Sequence, residues 1–536
     1  MATASTPDAD AGSQDRDELP LAPTVASAAV AAAVLLPVLW LIRTGFDVSP
    51  TSAAELLSRP ETLRVFLNSA AMVAAVTGAS ILIGVPLAYL TVRTDLPFAR
   101  FWTVVIALPL VIPSYVGAFA FVSAFGPNGA LQRILAPVGV ESLPTIYGLP
   151  GAVLVLTLYT YPYVYITTRA ALKSFDTTLV EAARTLEHSR WEAFKRITWP
   201  QVRPAVAAGS LLVALYALAD FGTPAIMRFD AFTRVIFVEF NSFGDGRQMA
   251  ILLSLQLVAV TLVILTLESR IRGAEVQAGA GRSTDVVELG LLRWPALLAP
   301  ALLAGVSLVV PLGILLGWLA AGGSTVGQSL ALEPEYVVNS VGVSAAAALA
   351  TILAGLPIAY LAARHDHPLA SAFERVSYVG YAVPGVVLGL ALVFLGTSYA
   401  TPIYQTLYLL VFAYVVRFLP QAVGSMRTSF LRVNPALPEA ARTLGRTSIG
   451  AFRHVTLPLV APGLFGGAAL VFLTTMKELE VTLMLRPSGF KTLVLHIWTA
   501  YESGYFGDAA APALILLGVS GLSMLVILSQ EGYNVK

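Results

Sequence analysis

The sequence predicts an all-α polytopic membrane protein of about 12 transmembrane helices in two parallel six-helix repeats. Three observations predict it. The 536 residues are 57% hydrophobic and only 12% charged, with mean hydropathy +0.76, whereas soluble domains carry about 25% charged residues. About a dozen apolar runs reach the ~20 residues that cross a bilayer as a helix. The same short motifs also recur in the same order in both halves of the chain.

The chain opens with Asp8, Asp10, Asp15, Asp17 and Glu18 against a single Arg16. A secretory signal begins with a basic stretch, so residues 1–23 are expected to be a disordered acidic tail retained on the chain. Apolar runs follow near 24–42, 65–90, 101–125, 148–168, 204–227 and 248–268, within a first half at 24–268. The polar, Gly-containing stretch 269–293 suits a cytoplasmic linker. The second half, 294–536, has runs near 294–320, 336–361, 376–396, 403–424, 463–485 and 509–529. With both termini on the cytoplasmic side of the cell membrane, basic residues are denser in the cytoplasmic loops, in agreement with the positive-inside rule.

The repeat is read residue by residue. Asn68-Ser69, Pro86, Tyr89, Arg93 and Pro113 recur 271 residues later as Asn339-Ser340, Pro357, Tyr360, Arg364 and Pro384. Farther on the offset is 258, so the first half holds an insertion, expected around residues 126–147. Six spans per half give both copies the same orientation, which predicts parallel repeats about an axis along the membrane normal.

The closest copies are polar. Glu181-Ala182-Ala183-Arg184-Thr185-Leu186, within 178–200, recurs as Glu439-Ala440-Ala441-Arg442-Thr443-Leu444, within 436–458. These are good helix formers, and their paired small residues let a helix lie close to a partner surface. Pro200 and Pro204, like Pro458 and Pro462, are expected to mark a break and the start of the next span, since proline suits only a helix's first turn. Gly445 supplies a turn conformation in the second copy, where the first has Glu187. A duplicated polar helix in a mostly apolar chain points to an outside partner that grips both halves.

Glu-Ala-Ala, three residues, Gly, nine residues and Ile-x-Leu-Pro resembles the signature of permease subunits of binding-protein-dependent ABC importers. The second copy fits at Glu439, Ala440, Ala441, Gly445 and Val455-Thr456-Leu457-Pro458. The first fits at Glu181, Ala182, Ala183, Ile197-Thr198 and Pro200, with Trp199 for leucine and Glu187 for glycine. The resemblance implies the type I importer permease fold, with each segment a coupling helix docked on an ABC ATPase, two copies in all. It also implies an extracytoplasmic substrate-binding protein. The chain contains no Gly-Lys dipeptide, and a phosphate-binding loop needs one, so ATP and Mg are expected on the partner ATPase and no cofactor or enzyme activity in this chain. Ile112–Phe119, Leu218–Thr223, Phe232–Ile236, Met476–Leu479 and Leu485–Phe490 look like the ferric-iron branch, with thiamine, 2-aminoethylphosphonate and polyamine permeases as relatives.

Charged residues in spans are costly and mark function by default. Asp220 aligns with Glu478, and Lys477 and Glu480 lie beside the latter. These are candidates for the route or its gate, with Lys477 able to pair with a carboxylate; the alternative is an ion pair holding the halves in register. Pro113 and Pro384, in matching spans, are candidate kinks near the pathway. The stretches 230–246 and 486–508 are expected outside the cell, open to a binding protein.

Zero cysteines exclude disulfides and thiolate metal sites. The five histidines are scattered, and no metal site is expected. A net charge of +1 gives no case for nucleic acid. A rival class is a twelve-span secondary transporter driven by an ion gradient; a channel or receptor is another.

Overall fold

A computed structural model describes residues 19–126, 129, 131–132, 136–139, 143–174, 180, 185–186, 189–274, 286–321 and 331–530. Most of the acidic tail, much of the linker, and Glu181, Ala182, Ala183 and Glu187 lie outside the described residues. Among the described residues there is no strand, only one isolated bridge between Thr94 and Val287. Among the described residues ten helices are long and apolar enough to cross a membrane, and counting each of two bent helix pairs as one span gives twelve. The chain is a multi-pass helical membrane protein.

The bent pairs sit at the matching prolines. Ala99–Val111 and Ser114–Phe125 meet at 90°, and Pro368–Ala382 and Gly385–Ser398 meet at 99°. Proline disfavours the helical conformation at the residue before it, and Ile112 (ψ 123) and Val383 (ψ 116) are extended accordingly. Pro113 and Pro384 then precede the first turn of the next helix, where the missing N–H leaves nothing unsatisfied. The expected kinks are thus full breaks.

The prolines of the polar segments do the opposite. Arg190–Ala193, the π-helical turn Phe194–Thr198 and Trp199–Ala219 run on continuously, as do Ser448–Ala451, Phe452–Thr456 and Leu457–Met476. The expected break is absent, and the spans begin at Trp191 and Ser448, ahead of the apolar runs. In an α-helix the Pro200 ring would clash with the carbonyl of Arg196, four residues back. The π turn shifts the bonding so that Trp199 N–H reaches Phe194 O, and Leu457 N–H reaches Phe452 O. The third π turn, Gly305–Val309, likewise ends two residues before a proline, Pro311. Pro204 and Pro462 lie inside their helices.

The chain divides into two compact units that do not follow chain order. One comprises 1–43, 333–495 and 518–536; the other comprises 44–332 and 496–517. The first span of each sequence half therefore belongs to the unit built mainly from the other half. In the second unit Trp318 packs edge-on against Phe119, and Ile314 against Ala120 and Ala124.

Each unit carries one copy of a tertiary clamp that explains the Asn-Ser repeat. Asn68 donates to the Asp230 carbonyl (3.1 Å) and the Phe232 amide donates to Ser69 Oγ (2.9 Å). Asn339 donates to the Lys491 carbonyl (2.9 Å) and the Leu493 amide to Ser340 Oγ (2.8 Å). Each serine satisfies an orphan amide at the start of a helix, Phe232–Phe240 or Leu493–Glu502, as a helix cap does. A different tie fixes the segment before the 290–320 span. Val287 N–H donates to Arg93 O (2.8 Å), and Leu289 N–H to the Asp95 carboxylate (2.7 Å).

Candidate functional site

Two kinds of site stand out: exposed polar segments repeated in register, and buried carboxylates at helix breaks.

Helix Leu407–Arg432 ends at Val433, whose carbonyl accepts from Arg364 Nη2 (3.0 Å). Asn434 Oδ1 accepts the Ala436 amide (3.0 Å) and starts helix Ala436–Thr443, which has no buried residue. Glu439 lies in its first turn, where the helix dipole favours a carboxylate. Gly445 has φ +87 and Arg446 N–H reaches back to Ala441 O (3.0 Å). This is a Schellman stop, and its left-handed position favours glycine. Thr447 Oγ1 then accepts from Gly450 N–H (3.1 Å) to begin the next helix.

In the first copy Ser189 and Glu192 form a capping box at the register of Thr447. Ser189 N–H donates to Glu192 Oε2 (3.0 Å), and Glu192 N–H to Ser189 Oγ (3.2 Å). Large apolar side chains are exposed at matching places: Leu186 (73%) and Trp191 (70%) in one copy, Leu444 (86%) and Ile449 (80%) in the other. Apolar side chains held out from capped polar helices in both halves form a repeated surface suited to a protein partner.

The buried carboxylates do not sit in continuous helices. Trp199–Ala219 stops at Asp220, and short helix Gly222–Ile226 follows; Leu457–Met476 stops at Lys477, and Glu480–Leu485 follows. Asp220 Oδ1 accepts the Thr223 amide (2.8 Å), and Glu478 Oε1 accepts the Val481 amide (3.2 Å). Both therefore cap the short helix behind them. Ser114 Oγ donates to Asp220, which joins the break at Pro113 to the break at Asp220.

The second copy replaces that hydrogen bond with ions. Arg417 Nε lies 3.2 Å from Glu478 Oε2, and Arg417 Nη2 lies 3.3 Å from Glu480 Oε2. Gly385 stands where the first copy has Ser114, and a Cβ there would meet Glu480 Oε2 and Arg417 Nη1. Its bare backbone makes room for the ion cluster beside the Pro384 break. These ion pairs to Glu478 and Glu480 come from Arg417 in helix Leu407–Arg432. Arg417 carries the signal that would have found it, a charge within an apolar run. Ser114 and Gly385 carry none, because they matter only through what folds onto them.

Among the other expected groups, Asp230 pairs with Arg234, and Asp245 lies 3.7 Å from Arg59. His367 Nδ1 accepts the Leu369 amide (3.1 Å) and caps helix Pro368–Ser377.

A family model described as "Binding-protein-dependent transport system inner membrane component" matches residues 80–273 and again 355–534. The Fe(3+)-transport system permease protein FbpB 2 of Haemophilus influenzae is 30% identical over 503 residues, 92% of this chain and 95% of that protein. The ferric transport system permease protein FbpB of Actinobacillus pleuropneumoniae is 25% identical over 500 residues, 89% of this chain and 72% of its own length. The putative 2-aminoethylphosphonate transport system permease protein PhnV of Salmonella typhimurium is 26% identical over 191 residues, 36% of this chain and 72% of that protein.

Proposed function

This chain belongs to the family of binding-protein-dependent transport system inner membrane components, and we propose that it is the two-half permease of an ATP-driven importer of ferric iron. The observation that carries this reading is the repeated exposed segment, with Leu186 and Trp191 matched by Leu444 and Ile449. We read 178–200 and 436–458 as cytoplasmic docking helices for two copies of a separate ATPase. Glu181, Ala182, Ala183, Glu187 and Pro200 lie in the first, and Glu439, Ala440, Ala441, Gly445 and Pro458 in the second. ATP and Mg belong to that partner. An extracytoplasmic binding protein delivers the cargo, and both termini lie in the cytoplasm.

The route is assigned to the helix breaks. Discontinuous helices are tolerated at membrane depth only where protein or a water-filled path satisfies the freed backbone groups. Each unit has two breaks, at Pro113 and Asp220 or at Pro384 and Glu478; Ser114 bonds to Asp220 in the first, and the Gly385 backbone lies against the Glu480–Arg417 cluster in the second. Asp220, Glu478, Glu480 and neighbouring Lys477 are the gate candidates. ATP binding and hydrolysis would move the docking helices, and through the unbroken π-turn connection, helices Trp199–Ala219 and Leu457–Met476 that end at these carboxylates.

Iron as cargo is supported by likeness across nearly the whole chain to a ferric permease. The test is ATPase stimulation by the binding protein in the reconstituted complex. Stimulation by the ferric form alone supports iron. Stimulation by a 2-aminoethylphosphonate, thiamine or polyamine form keeps the importer and removes iron. Unchanged ATPase assembly and transport after Glu181→Gln with Glu439→Gln would remove the docking assignment.

A further inference from the structure

One sequence departure has no part in the importer reading: tryptophan at 199 in place of the motif's leucine. It lies in the wall of a cavity of about 620 Å³ in the unit containing 44–332, between Pro60–Arg93, Leu149–Ser174 and the π-turn segment. That volume falls in the ~300–1,000 Å³ range of small-molecule sites. The lining is almost wholly apolar and aromatic, including Tyr89, Leu172, Trp191, Phe194 and Trp199. Trp191 stacks on Phe194 (5.6 Å between centroids), and Tyr89 meets Phe194 edge-on (5.7 Å). Thr168 in the wall is fully buried, and its hydroxyl has no hydrogen-bond partner among the described residues.

The second half, which repeats the docking helix, carries larger side chains at two key wall positions. Thr168 corresponds to Met426 and Leu172 to Phe430, both fully buried, with Phe430 against Tyr360 (5.8 Å). Trp191 and Trp199 correspond to the smaller Ile449 and Leu457. A partner common to both halves, such as the ATPase, does not account for Thr168, Leu172, Trp191 and Trp199, the wall residues that differ from their counterparts in the second half.

Charge marks the same segment. Lys195 and Arg196 follow lining residue Phe194 and Arg203 follows lining residue Val202, and all three are exposed without an acidic partner among the described residues. Their counterparts are Arg453, His454 and Ala461. An apolar cavity between membrane-spanning helices, beside unpaired cations, has the chemistry of an acyl chain with an anionic headgroup. We propose that this cavity binds one anionic phospholipid, an acyl chain lying among Tyr89, Phe194 and Trp199 and the phosphate meeting Lys195, Arg196 and Arg203. The site shares residues 191–199 with the segment assigned to ATPase docking, and its lipid occupancy is tested without reference to that assignment.

The test uses the full chain in phosphatidylcholine nanodiscs doped with a phosphatidylglycerol or a phosphatidylcholine bearing the same photoactivatable acyl chain. Labelled peptides are then mapped. The expected result is labelling within 85–90 and 191–202, stronger for phosphatidylglycerol and undiminished by excess inorganic phosphate. Thr168→Met with Leu172→Phe, which installs the second half's residues, abolishes it. Lys195→Gln, Arg196→Gln and Arg203→Gln together leave acyl labelling but remove the headgroup preference. Equal labelling by the two lipids in the unsubstituted chain, labelling elsewhere only, or loss on adding phosphate would each overturn the proposal, without reference to transport and without needing the filled variant to fold.

Discussion

Arg417 Nε lies 3.2 Å from Glu478 Oε2, so a cation from one membrane helix neutralises the carboxylate that caps a break in another. Glu478 and Glu480 are both buried and share this guanidinium. Breaking a buried pair costs about 3–5 kcal/mol because an uncompensated charge stays behind, whereas replacing all partners by apolar residues is often neutral. Arg417→Met should therefore lower the unfolding midpoint sharply, and Arg417→Met with Glu478→Met and Glu480→Met should recover most of it. Thermal unfolding in detergent checks both. Equal losses in the two variants would mean that packing, not charge, sets the cost.

The two units close the same junction with different chemistry, so their residues should not interchange. Gly385→Ser places a Cβ against Glu480 and Arg417 and should displace the ion cluster. Ser114→Gly removes a hydroxyl donor from buried Asp220, a loss of about 1.5–3 kcal/mol for a hydrogen bond to a charged group. Both variants should unfold at lower temperature, and wild-type stability for Gly385→Ser would contradict the geometry.

Ser69→Ala and Ser340→Ala should each leave one helix-start amide unsatisfied, at Phe232 and Leu493 respectively. The cost is about 1–3 kcal/mol per buried donor. Hydrogen exchange should accelerate at Phe232 in the first variant and at Leu493 in the second, each leaving the other amide unchanged.

His365 gives a pH prediction. Burial, and then the nearby His367, lower its pKa from the ordinary 6.5. The folded state thus takes up a proton less readily than the unfolded state. The stability His365 contributes is complete above the unfolded value and is lost as pH falls through 6.5 toward the lower folded value. Destabilisation between pH 7 and pH 5.5 should shrink in His365→Phe, as read by unfolding midpoints across that window.

Much of the architecture was legible because spans are long and apolar and the repeat keeps its register on either side of one insertion. Leu149–Ser174 and Leu407–Arg432 correspond residue for residue. Hydropathy counts length and not direction, so the runs at 101–125 and 376–396 did not disclose right-angled breaks at Pro113 and Pro384. The prolines at 200 and 458 pointed to breaks that a one-residue shift in bonding avoids. Asp220 and Glu478 were visible as charges, but their capping role depends on backbone three residues ahead. Ser114, Gly385 and the partnership of Arg417 arise only when distant segments meet. Glu181–Arg184 and Glu187, expected in the first polar segment, lie outside the described residues.

The most direct test is radiolabelled ferric uptake into proteoliposomes holding this chain, its ATPase and iron-loaded binding protein, with ATP supplied to the ATPase side. The account predicts uptake that requires ATP hydrolysis and binding protein and disappears when Glu181 and Glu439 are both replaced by glutamine. Uptake driven by a proton or sodium gradient with the ATPase omitted would contradict it.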